Sequence, residues 1–289
     1  PWELAKTESV DVLDAVGAAI RVDARQTEVL RVLPRLNEDV NEEWLSDKSR
    51  YACDGLMRQR LDRPYVRVDG KLREASWAEA FGAIAARIKA SSGDRIAAIA
   101  GDLCDAEAMV ALKDLMAALG SPHIDCRQDG AALPAGARAG YLMNSTIAGL
   151  ESADAVLLVG SNPRWEAPLV NTRLRKAWLR HGLAGAVVGE PVDLTWPVEH
   201  LGAGPDTLQA IADGTHPFAE VLRKAERPAL IVGMGALARG DGAAVLATAR
   251  RIAESCGLVK DGWNGFNVLH TAAARVGGLD LGFVPGEGG

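Results

Sequence analysis

Four runs of four or five residues, at 96–100, 155–159, 184–188 and 229–232, contain no charged or polar side chain. A strand that is apolar at every position has two faces to bury, so it cannot lie in a sheet with one wet side. The stretches around these runs are of helical length. They cover 105–119 (with Gly120 as the stop), 167–180, 207–213 and 241–255. A further helix at 76–90 opens on Ser76-Trp77-Ala78-Glu79, a capping box in which hydroxyl and carboxylate each accept the other's backbone N–H. A short strand is expected near Ile124. Apolar strands that alternate with helices predict an α/β fold: a doubly wound, mostly parallel sheet covered on both faces. Residues 74–289 are expected to form it.

Residues 1–73 read differently. Segments 10–14, 19–23 and 29–33 alternate apolar with polar residues, and Gly17 and Arg25-Gln26-Thr27 supply turns, so a small antiparallel β subdomain should precede the larger one. Three short strands with so little apolar face need something larger to lean on. Next comes an acidic block, Glu38, Asp39, Glu42, Glu43 and Asp47. A basic stretch from Lys48 to Arg73 follows, including Arg58, Arg60, Arg63 and Arg67. Adjacent blocks of opposite sign read either as neutralising each other or as a groove for an anionic partner.

Apolar residues at 48% and charged residues at 24% supply enough core to exclude disorder. A formal net charge of −6 argues against a nucleic-acid partner, which needs a basic face to displace counterions. The longest run without charge, 262–274, holds Asn264, Asn267 and His270 and is too short to cross a bilayer, so no direct membrane insertion is expected. The opening Pro1-Trp2-Glu3-Leu4 has no secretory core and no initiator methionine, which suggests a piece of something longer. Four cysteines (Cys53, Cys104, Cys126, Cys256) without C-x-x-C, and five scattered histidines, predict no metal site of the chain's own.

Ligands of a doubly wound sheet sit beyond the carboxyl ends of its strands. Three strand-to-helix turns qualify. Gly101–Asp105 shows only a good N-cap at Asp105. Gly160-Ser161-Asn162-Pro163, with Arg164 and a helix bearing Arg173, Arg175 and Lys176, could hold a pyrophosphate or could simply turn the chain. Gly233-x-Gly235-x-x-Ala238 has the form of a dinucleotide fingerprint. Yet it follows the last visible strand rather than the first, and Glu254, at about the right distance for the acid, lies on a helix.

Longer strings carry a resemblance. Residues 6–17 (KTESVDVLDAVG), 33–44 (LPRLNEDVNEEW), 53–61 (CDGLMRQRL), 105–108 (DAEA), 144–149 (NSTIAG), 160–169 (GSNPRWEAPL) and 191–194 (PVDL) resemble the large iron–sulfur subunits of respiratory complex I, the proton-pumping NADH–quinone oxidoreductase. The likeness covers nearly all of the chain and the front and middle of that subunit's carboxy-terminal half. It implies a part in NADH-to-quinone electron transfer as a piece of the complex. It also implies a parent subunit carrying 2Fe–2S and 4Fe–4S clusters on a preceding segment. The implied partners are that cluster-bearing segment and other peripheral-arm subunits, including the NADH- and FMN-binding flavoprotein. The implied place is the cytoplasmic face of the bacterial inner membrane, or the matrix side in mitochondria.

That half of the family is itself similar to molybdopterin enzymes, whose C-x₂-C-x₃-C set and later cysteine two residues before a lysine hold a [4Fe–4S] cluster. The pattern lays Asp11, Asp14, Ala18 and Ser46 on the four ligand positions, with Lys48 as the lysine. Two carboxylates, a methyl and a hydroxyl cannot replace thiolates. The resemblance therefore implies a vestigial 4Fe–4S subdomain before a Rossmann-like domain whose final strands are missing, no cofactor in this stretch, and no catalytic residue. Ser161, Asn162 and Arg164 are the vestigial candidates for any retained ligand. The alternatives are an active molybdopterin-dependent oxidoreductase and a nucleotide-binding regulatory module using Gly233 to Ala238.

Overall fold

The computed structural model describes residues 2–133 and 136–286. It begins with a three-stranded antiparallel sheet, β1 (Ala5–Val10), β2 (Ala19–Arg25) and β3 (Glu28–Pro34), with β2 central. The first strand ends where one was expected to begin. Leu13 N–H donates to Asp11 Oδ1 and Val16 N–H to Asp14 Oδ1, and these Asx turns fold 11–17 out of the sheet as a loop. A short helix α1 (Asp47–Tyr51) and a hairpin, β4 (Tyr65–Val68) with β5 (Lys71–Glu74), lead to α2 (Trp77–Lys89).

At the start of α2 both halves of the capping box form: Ser76 N–H donates to Glu79 Oε2 at 2.8 Å, and Glu79 N–H to Ser76 Oγ at 3.2 Å. Ser76→Ala should therefore loosen the first turn by about 1 kcal/mol. Hydrogen exchange at residues 77–80 is the measurement. Unchanged protection there would contradict the cap.

Strand β6 (Ala97–Ile99), helix α3 (Ala106–Ala118) and strand β7 (His123–Asp125) form a parallel two-stranded unit of their own. The sequence reading placed these strands in the main sheet; the structure does not. The main sheet is built from β8 (Ala155–Val159), β9 (Ala184–Val188), β10 (Glu199–Gly202), β11 (Pro228–Gly233) and β14 (Phe266–Leu269), all parallel, in the order β10-β9-β8-β11-β14. A two-residue pair, β12 (Val259–Lys260) and β13 (Trp263–Asn264), precedes β14. The last visible strand of the sequence is thus followed by another. The helices are α4 (Pro163–Glu166), α5 (Pro168–His181), α6 (Pro205–Ala212), α7 (Pro217–Lys224), α8 (Met234–Leu237), α9 (Gly242–Ser255) and α10 (Ala274–Asp280). Among the described residues, no helix is long and apolar enough to cross a membrane.

Alternate side chains of the all-apolar strands feed two cores, one on each face of the sheet. Leu157, Val159, Leu230 and Val232 pack with Leu208, Leu222 and Leu246 of α6, α7 and α9. Val156, Leu158, Ala229 and Ile231 pack with Val170 and Leu174 of α5, and also with Val16, Ala18, Ile20, Val32 and Leu45. The small sheet therefore leans on the large one through a shared core. The charge blocks do not neutralise each other as one reading had it. Glu42 of the acidic block pairs with Arg173 and Lys176 of α5, while Arg63 pairs with Asp62 and Glu74.

Candidate functional site

Strand order reverses beside β8: β9 and β10 lie on one side of it, β11 and β14 on the other. The crevice beyond the carboxyl ends at such a switch point is where open α/β sheets bind ligands. A cleft of about 600 Å³ sits there, lined by the turns after β8, β9 and β11 and by the start of α6. Gly160 takes φ +57, and a Cβ on it would stand 2.5 Å from both N and Cβ of Ala236. A Cβ on Gly235 would stand 2.7 Å from the carbonyl oxygen of Gly160. The G-x-G motif after β11 thus packs two turns together, and its helix stops after one turn, at Leu237, before α9 begins. Ser161 Oγ donates to Glu166 Oε2 at 2.8 Å, and Asn162 N–H to Glu166 Oε1 at 3.2 Å. Arg164 lies outside the cleft lining, where its guanidinium donates to Asp193 Oδ2 at 2.6 Å. The Thr195 N–H and then Arg164 hold the Asp193 carboxyl below its usual range. Asn162 Oδ1 is buried without a protein partner.

The second set lies in the small subdomain, and the fold brings it together. Asp11, Asp14, Ala18 and Ser46 are all buried. Asp11 N–H donates to the Ala18 carbonyl at 2.8 Å. Ser49, which no sequence signal marked, joins the set: its hydroxyl donates to Asp11 Oδ2 and shares a 3.0 Å hydrogen bond with Ser46 Oγ. Lys48 Nζ approaches Asp14 Oδ2 at 4.0 Å. Burial raises the Asp14 carboxyl, the neighbouring Asp11 adds to the rise, and the Val16 N–H and Lys48 oppose it.

A family model described as Molybdopterin oxidoreductase matches residues 60–289. The chain belongs to the molybdopterin oxidoreductase family. Residues 4–54 match a second model, the NADH-ubiquinone oxidoreductase NDSU1/NuoG-like 4Fe-4S domain. The mitochondrial NADH dehydrogenase [ubiquinone] iron-sulfur protein 1 of Solanum tuberosum is 48% identical over 285 residues, 98% of this chain and 39% of that protein. An NADH-quinone oxidoreductase subunit of Rickettsia conorii is 46% identical over 282 residues, 98% of this chain and 42% of that protein. This member of the molybdopterin oxidoreductase family is thus a homologue of complex I large iron–sulfur subunits, and it spans about two-fifths of the length of these relatives. Among solved structures, the formyltransferase/hydrolase complex (FhcABCD) from Methylorubrum extorquens in complex with methylofuran is 17% identical. Its TM-score is 0.45, over 73% of this chain and 64% of that one.

Neither cofactor that the family names suggest fits this molybdopterin oxidoreductase homologue. A [4Fe–4S] cluster needs thiolates, whereas Asp11, Asp14, Ala18 and Ser46 offer two carboxylates, a methyl and a hydroxyl, with Asp11 and Ser46 both bonded to Ser49 and the Asp14 carboxylate to the Val16 N–H. Cys53, the nearest cysteine in sequence, directs its Sγ to the Arg50 carbonyl. A pterin dinucleotide brings a pyrophosphate, and the cleft lining sets Glu166, Glu190 and Asp241 against Arg239 alone, itself bound to Asp241 at 2.7 Å. Arg173 and Lys176, which the sequence reading offered to a pyrophosphate, turn away from the cleft and hold Glu42 and Glu151. Among the described residues, no group of three or more His, Cys, Asp and Glu side chains is arranged to hold a metal ion.

Proposed function

We propose that this chain is a scaffold region of the large iron–sulfur subunit of NADH–quinone oxidoreductase, serving electron transfer without a cluster or a catalytic residue of its own. The observation that carries the reading is the set Asp11, Asp14, Ala18 and Ser46: buried, without a thiol, and with Asp11 and Ser46 joined through the Ser49 hydroxyl. In this reading residues 1–73 are the vestigial cluster subdomain and 74–289 the Rossmann-like domain. The parent subunit's 2Fe–2S and 4Fe–4S clusters lie on another segment. Ser161, Asn162 and Arg164 are remnants of a cofactor turn whose donors now serve Glu166 and Asp193.

The work of such a region is to bury surface against the cluster-bearing segment and other peripheral-arm subunits, the NADH- and FMN-binding flavoprotein among them. Its place is the cytoplasmic side of the bacterial inner membrane or the mitochondrial matrix side. Exposed apolar surface supports this. Trp77 (65% exposed), Phe81 (60%) and Ile84 (54%) form a bare stripe on α2, of the kind that marks an interface. Elemental analysis of the purified chain tests the proposal. Iron and molybdenum far below one atom per chain are expected, and stoichiometric metal of either kind would overturn it.

A further inference from the structure

The switch-point cleft answers its own charges. Arg239, in the lining, donates from Nε and Nη2 to the two oxygens of Asp241 at 2.7 and 2.9 Å. Arg164, at the turn after β8, is held by Asp193. In the turn itself the Ser161 hydroxyl and the Asn162 N–H reach the two oxygens of one carboxylate, that of Glu166, which also lines the cleft. The turn is clamped in this form. Ser161 is 6% exposed, and a Cβ on Gly233 at the end of β11 would stand 2.5 Å from the Ser161 Cβ. The Asn162 side chain, by contrast, is idle. Its amide makes no hydrogen bond among the described residues, although Oδ1 is buried. A buried polar atom without a partner is costly, so the turn keeps binding capacity that the chain does not use.

We propose that Glu166 is a built-in counter-anion: its carboxylate fills a masked phosphate seat in the turn after β8 and keeps phosphate-bearing ligands out of the cleft. This rests on the reading of Ser161 and Asn162 as remnants of a cofactor turn, and it names what took the cofactor's place. Carboxylate and phosphate ask for the same thing, a hydroxyl and an N–H directed at oxygen, and hydrogen bonds to a charged acceptor are the strong ones. Two anions cannot share that pair of donors. An arriving phosphate meets the Glu166 charge at the seat and those of Glu190 and Asp241 on the walls, with Arg239 already spent on Asp241. Removing the Glu166 carboxylate frees both donors and leaves the unused Asn162 amide beside them.

Titration of the chain with inorganic pyrophosphate, read by calorimetry and by the amide resonances of Ser161 and Asn162, is the test. Wild type should show neither heat of binding nor movement of those resonances. Glu166→Ala should bind at least about tenfold more tightly than the wild-type limit, with both resonances shifting together. Glu166→Gln, which keeps the shape and one acceptor, should fall between the two. Glu190→Gln removes an exposed charge from the same cleft without touching the turn, and should stay close to wild type.

Saturable movement of the Ser161 and Asn162 resonances in wild type would overturn the proposal before any variant is made. A folded Glu166→Ala that binds no pyrophosphate would do so too, because Glu166 would then be a cap for the turn and nothing more. Binding that leaves both resonances still, an adventitious ion only, counts against it, as does an equal gain in Glu190→Gln, which would trace the exclusion to the overall charge of the cleft. The scaffold reading does not share this fate, since it stands or falls on iron and molybdenum content.

Discussion

Arg173→Ala is expected to lower the unfolding free energy by about 3 kcal/mol, a large share of the 5–15 kcal/mol that holds an ordinary domain. The side chain is 5% exposed and sits where the small subdomain meets α5. One end meets Glu151 and approaches Glu42 at 3.5 Å; the other donates to the carbonyls of Glu38 at 2.7 Å and Val40 at 3.2 Å. Lys176 and Arg180 complete the network on Glu151, and Lys176 also reaches Glu42 at 2.6 Å. Burial acts to raise the Glu151 carboxyl, but Lys176 and Arg173 outweigh it and hold the group below its ordinary range. Alanine removes a fork that satisfies two chain segments at once. The Glu38 and Val40 carbonyls lose their donor, which adds a desolvation penalty to the lost pairing.

Lysine at the same position keeps the charge but not the planar fork, so Arg173→Lys should fall between wild type and alanine. The exposed pair Arg239–Asp241 is the control, and Arg239→Ala should leave the urea midpoint where it was. Urea unfolding gives the magnitude, and limited proteolysis near 38–45 reports whether the small subdomain comes loose first. A loss under about 1 kcal/mol for Arg173→Ala would mean that the shared apolar core, not the ion network, fixes the two parts together.

The main sheet was legible because burial on both faces leaves a plain mark: five consecutive apolar residues at 155–159 and 184–188. Strand β14 left no such mark. It carries Asn267, fully buried, whose Oδ1 accepts from the Ser145 N–H and whose amide meets Ser145 Oγ, so one polar residue interrupts the run. The hairpin β4–β5 is almost wholly exposed, so no apolar face distinguishes it from a charged loop. At 11–14 alternation was present, but Asp11 and Asp14 offered the backbone nearer partners than a neighbouring strand could. The candidate site divides in the same way. Gly160 and the turn after it stood out by chemistry, whereas the set Asp11, Asp14, Ala18 and Ser46 came only from family spacing. Ser49 came from neither, because a serine one turn into a helix has no pattern to betray its partner across the loop. Arg275 likewise had no sequence signal, because Asp129 and Asp102, which it pairs with, are far off along the chain.

If Asp11, Asp14, Ala18 and Ser46 hold the places of four cluster ligands, as proposed, sulfur at those positions should bind a cluster. The quadruple variant Asp11→Cys, Asp14→Cys, Ala18→Cys and Ser46→Cys, reconstituted anaerobically with iron and sulfide, is expected to take up about four irons per chain. The parent chain under the same treatment is expected to take up none. Asp11 and Ser46 meet through the Ser49 oxygen, Ala18 is tied to Asp11 by a backbone hydrogen bond, and Asp14 faces Lys48 of α1. Replacing carboxylates with thiols also removes the Asp11 charge that adds to the cost of burying the Asp14 carboxylate, and thiols bound to iron deprotonate outright. Lys48 then stands beside an anionic cluster instead of a carboxylate. A bound cluster stabilises only the folded state, so the thermal midpoint should rise with loading. Any three of the four substitutions should load less, because one iron loses its protein thiolate. A folded quadruple variant that takes up no iron would mean that the loop from 11 to 18 has moved away from the geometry a cluster needs, and the vestigial reading of the subdomain would fall with it.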